Sequence, residues 1–455
     1  MIVSDAFRGK RYVVLGLARS GLATVRALVA SGADVTAWDS KEEARDSALE
    51  EHRRSREGGS RLDRVAPPSE SGPRLREGDG SLAIADPLTI DLTGFDGIIV
   101  SPGVPINRHP IADAAHAAHV PLLGDIELFA QARAGLPPHK VVGITGTNGK
   151  STTTALIHHT LCSAGIPAML GGNIGLPILG QEPLPQGGVY VLELSSYQID
   201  LTHGLDCDVV ILTNITPDHL DRYIDFADYA SAKERLFTMQ HVDKVAVIAC
   251  DDDPSRMIAS RINHRLHRVH AADVMDQTRW PSLQGPHNAQ NVACAIATCT
   301  ALGLDDAQIE AGLASYPGLA HRMERIRELE GVLWVNDSKA TNATSSAPAL
   351  AAYPVVHWIL GGQAKTDDLD ACAPHFGHVK AAYVIGEAAD LFERLLSPHM
   401  AVTNAVTLDA AVVAARAAAR AGETVLLSPA CASFDQFRDF EARGDAFRAL
   451  VEKLA

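Results

Sequence analysis

The chain lacks any apolar run approaching the roughly 18 residues that a membrane-spanning helix needs, so no membrane insertion is expected. No apolar stretch follows a basic segment at its start, so no signal peptide is expected either. Its seven cysteines form no CxxC pair and no metal-type Cys/His spacing. That pattern points to reduced, mostly buried thiols in a cytoplasmic protein. Positive charge is also short: 40 Lys and Arg against 55 Asp and Glu give a formal net charge of −15. That argues against a nucleic-acid-binding surface as the main business, although a few cations can still converge locally on a phosphate. Aromatics are few, at 5%, and no internal repeat appears. What remains is long and apolar: 455 residues with 46% hydrophobic content, enough for several α/β domains with substantial cores.

The stretch VVGITGTNGKSTTT at 141–154 organises the rest. It reads as a buried strand, a glycine-bearing loop, and a helix opening at Lys150. Such a turn aims backbone N–H groups and a helix N-terminus at one anion. Lys150 adds a mobile cation and Ser151 a hydroxyl suited to Mg²⁺. The strict P-loop pattern fails, because Ile144 occupies its first glycine position.

Before this loop, strands at 11–15 and 34–38 flank a helix at 22–31, a βαβ unit. Its turn GLARSG does not match GxGxxG, which argues against a nicotinamide cofactor. Asp39 ends the second strand, either as a turn acid or as a ligand for a hydroxyl or base edge. Residues 50–80 are polar and rich in Gly, Pro and charge, and are expected to be a flexible surface insertion. The fold is expected to resume at Phe95, with a strand at 97–100 ending in SPGVP. Helices follow near 111–119 and 125–131, and a linker is expected at 134–138.

After the loop, GGNIG at 171–175 reads as a flexible turn. The strand at 189–194 carries one acid, Glu193, suited to Mg²⁺ or a water. A strand at 208–213 leads into Asn214, Asp218 and His219, a cluster that a surface turn explains equally well. Lys233, in SAKERLF, reads on its own as a solvated helix lysine. A strand at 245–249 and a helix at 288–302 follow. Asn288 and Asn291 are three apart and share a helix face. The last region places strands at 332–335, 355–360, 381–385 and 424–427, each spilling into small or polar residues. Lys339, Thr341, Lys365 and Ser433 give that edge cations and hydroxyls for a small dicarboxylate or phosphate.

TGTNGKST is similar to the ATP loop of the Mur ligases and folylpolyglutamate synthetases. ELSSYQ, NITPDHLDR, AKERLF, GPHNAQN, HRME and NDSKATN follow in that family's order. The block LSPACASFDQF at 427–437 resembles most the members that add D-glutamate to UDP-N-acetylmuramoyl-L-alanine. The resemblance implies an α/β fold of three domains: a Rossmann-like UDP-binding domain at 1–137, a central P-loop ATPase domain at 138–318, and a Rossmann-like amino-acid-binding domain at 319–455.

The same resemblance implies an ATP-dependent ligase of peptidoglycan precursor synthesis that works through an acyl phosphate and a tetrahedral intermediate. Gly146, Thr147, Asn148, Gly149, Lys150, Ser151 and Thr152 would hold ATP, helped by Asn288, Asn291, Arg322 and Asp337. Two Mg²⁺ ions would be held by Ser151 and Glu193, and by His219 and a carbamylated Lys233. Asn173 would orient the acyl phosphate. Leu17, Ala18, Arg19, Asp39, Ser40, Gly103 and Asn107 would hold UDP. Thr341, Lys365, Ser433 and Phe434 would hold D-glutamate, with Phe440 packing nearby. The expected partners are small molecules only, and a monomer is expected. The rivals are a sister amide ligase, which shares every ATP-site residue, and a P-loop GTPase or kinase, against which the missing NKxD motif argues.

Overall fold

The computed structural model describes residues 1–62, 80–218 and 222–454. Among them, three sheets form. The first is built from β1 (Arg11–Leu15), β2 (Asp34–Trp38), β3 (Leu82–Ile84), β4 (Gly97–Val100) and β5 (Leu122–Leu123), all parallel, in the order β3-β2-β1-β4-β5. The second holds β6 (Lys140–Thr145), β7 (Ala168–Gly172), β8 (Val189–Glu193), β9 (Val209–Leu212), β10 (Val245–Ala249) and β11 (Arg265–Val269). These too are parallel, in the order β11-β10-β9-β6-β8-β7.

The third sheet holds β12 (Glu324–Leu329), β13 (Val332–Asn336), β14 (Val356–Gly361), β15 (Val379–Ile385), β16 (Ala401–Val406) and β17 (Thr424–Leu427). Its order is β12-β13-β17-β14-β15-β16, and only β12 runs antiparallel. The chain divides into two compact units, Met1–His270 with Ala293–Gly312, and Ala271–Val292 with Leu313–Ala455. No helix among the described residues is long and apolar enough to cross a membrane.

The central strands are continuous apolar runs because helices cover both faces. Every residue of β8, β9 and β10 is buried, as are the last five of β6. Each such Val, Ile or Leu contributes about 1.5–3 kcal/mol through removal from water. The strand order creates switch points in the second and third sheets. In the second sheet, β6 lies between β8 and β9, so its loop opens into the crevice at their carboxyl ends. In the third, β17 returns between β13 and β14, which brings three loops distant in sequence to adjacent strand ends.

Several expectations are corrected. The helix Glu42–Leu62 runs into the supposed insertion from 50 onward, and 63–79 lie outside the described residues. The fold resumes at β3, not at Phe95. The first helix begins at Arg19, three residues before the apolar periodicity starts. Gly171 and Gly172 close β7 rather than forming a turn, paired with Leu192 and Glu193. Strands β3, β5, β7, β11, β12 and β16 escaped the sequence because edge strands are short or half-exposed and carry no buried apolar run.

Candidate active site

The loop after β6 is built as its sequence foretold. The helix Lys150–Ser163 opens at Lys150 with Gly149 as its N-cap. Gly146 has no room for a side chain, since a Cβ would lie 2.0 Å from Thr213 Oγ1. Neighbouring strand ends then fix the loop. The Thr147 and Asn148 N–H groups donate to the Asn214 carbonyl and side-chain oxygens at 2.8 and 2.9 Å. Thr213 Oγ1 donates to the Asn148 carbonyl at 2.7 Å. Ser151 is buried at the first turn and Thr152 half-buried beside it.

The Gly146 carbonyl gathers two amines. Lys150 Nζ donates to it at 3.0 Å, and also to the Thr147 carbonyl at 2.8 Å. Lys233 Nζ donates to it at 2.8 Å. Lys233 is only 2% exposed, on the helix Phe226–Thr238, and its ammonium end lies 4.4 Å from the Tyr229 ring centre. The solvated lysine expected from the sequence is therefore corrected. Burial, and then the charge of Lys150, push its pKa well below the usual lysine value, against the pull of Asp218 and Asp200. Both causes oppose the charged form of this amine.

Glu193 ends β8 and is 2% exposed. Its Oε1 accepts from Asn173 Nδ2 at 3.0 Å, and its carbonyl accepts from the Asn173 N–H at 2.8 Å. Its Oε2 is buried with no hydrogen-bond partner. A buried carboxylate oxygen left unmet costs about 1–3 kcal/mol or more, which a cation recovers. Glu193 and Ser151 thus fit a Mg²⁺ site. Among the described residues no three His, Cys, Asp or Glu gather into a metal cluster, and His219 lies outside them.

In the first sheet, Asp39 spends its carboxylate on the backbone, accepting from the Leu17 N–H at 2.7 Å and the Lys41 N–H at 2.9 Å. It shapes the turn that carries Leu17, Ala18 and Arg19. Arg19 Nη2 donates to the Gly175 carbonyl at 3.1 Å, and Asn107 Nδ2 to the Arg222 carbonyl at 3.5 Å. Ser40 and Gly103 are exposed. A cleft of 620 Å³ opens beside this edge, lined by Ser101, Asn107, His116, Tyr197, Arg222 and Tyr223 among others.

In the second compact unit, Asn288 and Asn291 are buried, and Asn291 Nδ2 donates to Asn288 Oδ1 at 3.1 Å, as their spacing implied. Arg322 sits half-buried at a turn. Asp337 is buried, accepting from the Met323 N–H at 3.2 Å and Ser428 Oγ at 2.8 Å. Burial pushes its pKa up to about 7, with Ser428, Met323 and Arg322 opposing. Lys365 Nζ donates to Thr341 Oγ1 at 3.4 Å. Ser433 is 2% exposed and Phe434 69% exposed. Among the described residues neither of their backbone N–H groups meets an acceptor. Phe440 is half-buried, with Lys339 Nζ 3.7 Å from its ring centre.

A P-loop at the switch point of a parallel sheet, with a cation-seeking carboxylate beside it and an anion-suited edge on a separate sheet, defines a multidomain α/β nucleotide-dependent enzyme. Residues 144–281 match the Mur ligase middle domain, and residues 321–431 match the Mur ligase, glutamate ligase domain. The chain belongs to the Mur ligase family. It is 62% identical to the UDP-N-acetylmuramoylalanine–D-glutamate ligase of Sphingopyxis alaskensis, over 100% of both chains. It is 53% identical to the enzyme of that name from Zymomonas mobilis, again over 100% of both. The solved UDP-N-acetylmuramate–alanine ligase of Thermotoga maritima shares the fold, with TM-score 0.55 and 16% identity over 97% of this chain and 99% of that one.

Proposed function

We propose that the chain is an ATP-dependent ligase that joins D-glutamate to UDP-N-acetylmuramoyl-L-alanine in peptidoglycan precursor synthesis. The full-length 62% identity to a ligase of that name carries the choice of substrates. The site geometry supports the chemistry. A carboxylate is a poor electrophile, so its oxygen must first take the γ-phosphoryl of ATP and become a leaving group. Two anions have to meet for that, and cations must crowd the site.

The loop from Gly146 to Thr152 cradles the phosphates, and Lys150 turns from its carbonyl partners toward them. Ser151 and Glu193 would hold one Mg²⁺, which would supply positive charge beside the phosphates. The Lys233 amine, whose charged form burial opposes, would add in its deprotonated form to carbon dioxide: an N–C bond forms, a proton leaves, and a carbamate replaces the cation. With His219 it would hold a second Mg²⁺. Asn173, already tied to Glu193, orients the acyl phosphate. Asn288, Asn291, Arg322 and Asp337 contact the nucleotide.

The amine of D-glutamate then attacks the acyl carbon. The tetrahedral intermediate expels phosphate and leaves an amide. Thr341, Lys365, Ser433 and the Phe434 backbone hold the amino acid's carboxylates, with Phe440 alongside. Leu17, Ala18, Arg19, Asp39, Ser40, Gly103 and Asn107 form the UDP end. We assign these roles to domains at 1–137, 138–318 and 319–455, in a monomer working in the cytoplasm, where ATP and the nucleotide-linked acceptor coexist.

The test is a phosphate-release assay with UDP-N-acetylmuramoyl-L-alanine and a panel of L- and D-amino acids. Release is expected only with that acceptor and D-glutamate together. Equal turnover with L-alanine or L-glutamate overturns the assignment.

A further inference from the structure

Arg443 belongs to no set of residues discussed so far, yet it is one of the largest fully buried side chains, at 1% exposure. It lies in the first turn of the helix Phe440–Glu452. Its five N–H donors all find acceptors. Nε donates to Ser338 Oγ at 3.0 Å. Nη1 donates to the Gly361 and Ala432 carbonyls at 3.4 and 3.3 Å. Nη2 donates to the Ser338 and Cys431 carbonyls at 2.9 and 3.1 Å. Among the described residues no carboxylate accepts from it.

These partners come from three loops. Ser338 precedes Lys339 and Thr341 after β13. Gly361 closes β14, ahead of Lys365. Cys431 and Ala432 precede Ser433 and Phe434 after β17. The guanidinium therefore pins together the loops that carry the amino-acid-binding side chains. The fit is close: a Cβ on Gly362 would lie 2.3 Å from the Ala432 carbonyl oxygen and 3.1 Å from Arg443 Nη1. Burial lowers the Arg443 pKa only to about 10, so the charge persists at neutral pH. Burial raises the pKa of the Cys431 thiol, with Arg443 and Lys365 lowering it and Asp435 raising it, so two cations and one carboxylate act within this edge. A buried cation with no carboxylate hydrogen-bonded to it costs free energy, which the charge of Asp435 offsets only in part. An anion arriving at the edge recovers part of it, across a medium that screens less than water.

We propose that Arg443 is a positioning residue for the amino-acid substrate, setting the register of all three loops and supplying fixed positive charge beneath the dicarboxylate. The proposal rests on the functional reading above. Its test is steady-state phosphate release by the full chain, with each substrate titrated in turn, for wild type, Arg443→Met and Arg443→Lys. Arg443→Met is expected to raise the KM for D-glutamate about tenfold or more, with the KM values for ATP and for UDP-N-acetylmuramoyl-L-alanine within about twofold of wild type. Arg443→Lys keeps the charge but has three donors for five acceptors, and is expected to fall between the two.

An unchanged KM for D-glutamate in either folded variant, or an equal rise for all three substrates, overturns the proposal. If Arg443→Met does not fold, Arg443→Lys decides on the same criterion. If wild type itself prefers another amino acid, the functional reading fails alone, and the same comparison with that amino acid still tests Arg443.

Discussion

Lys233 and Arg443 are both buried cations at ligand edges, and the fold treats them in opposite ways. Lys233 has one backbone acceptor, the Gly146 carbonyl, which it shares with Lys150. Burial and the charge of Lys150 push its pKa well below that of an ordinary lysine. Arg443 has five acceptors on three loops and remains protonated, with its pKa near 10. A buried charge is favoured where every donor is met, and opposed where a second cation competes for a single acceptor. The side chains suit the two tasks: an amine can be deprotonated and become a nucleophile, whereas a guanidinium cannot.

The sharpest way to break this contrast is Lys233→Ala. Loss of about 10³-fold in kcat is expected, in the range seen when a charge-stabilising group is removed, with partial recovery on adding short carboxylates that stand in for the carbamate. Lys233→Arg should be equally inactive and should not recover. Wild-type rates in Lys233→Ala would remove the lysine from the site. Glu193→Gln should lower kcat about 10²-fold and shift the Mg²⁺ titration to higher concentration. An unchanged Mg²⁺ midpoint would count against the metal role of Glu193.

Stability gives the next test. Arg443→Met leaves five acceptors unmet and should cost about 2–4 kcal/mol in urea unfolding. Lys233→Met removes a buried amine whose charged form the fold opposes, and should leave stability at neutral pH unchanged or raised. Equal losses would mean that the two cations are held alike.

The pH dependence gives a further test. The folded pKa of Lys233 is depressed, so between that pKa and about 10.4 the unfolded chain binds more protons. Wild-type stability therefore rises with pH in that window, and Lys233→Met should flatten the rise. Asp337 has the opposite sign. Its folded pKa is raised to about 7, so its contribution is present below about 4 and is lost as pH rises to about 7. Asp337→Asn should remove a decline of about 1–3 kcal/mol between pH 5 and 8, read by urea unfolding at both values.

The strand, loop and helix around Lys150 were legible because glycine spacing, an apolar run and a following helix are local signals. Asn288 and Asn291 share a face as their spacing implied. Lys233 misled, because a lysine among Ala, Glu and Arg on a short helix looks solvated until the Gly146 carbonyl is seen above it. Asp39 was legible as a strand-end acid, but its partners, the Leu17 and Lys41 N–H groups, were not. Arg443 was missed although a signal existed. It falls on the buried stripe of its helix with Gly444, Phe447 and Val451, where an arginine needs acceptors from elsewhere.

The sequence by itself determined three α/β regions, a phosphate loop at 146–152, an acid at the end of β8, and small polar residues at the carboxyl ends of the third region's strands. These follow from periodicity and from short-range chemistry. Only the tertiary structure decided that β17 returns between β13 and β14, that one carbonyl serves two lysines, and that one guanidinium ties three loops. Those outcomes depend on strand order and on the matching of buried donors to acceptors more than 80 residues away. No local pattern encodes such pairings, because a buried polar group is satisfied by whatever the fold brings to it.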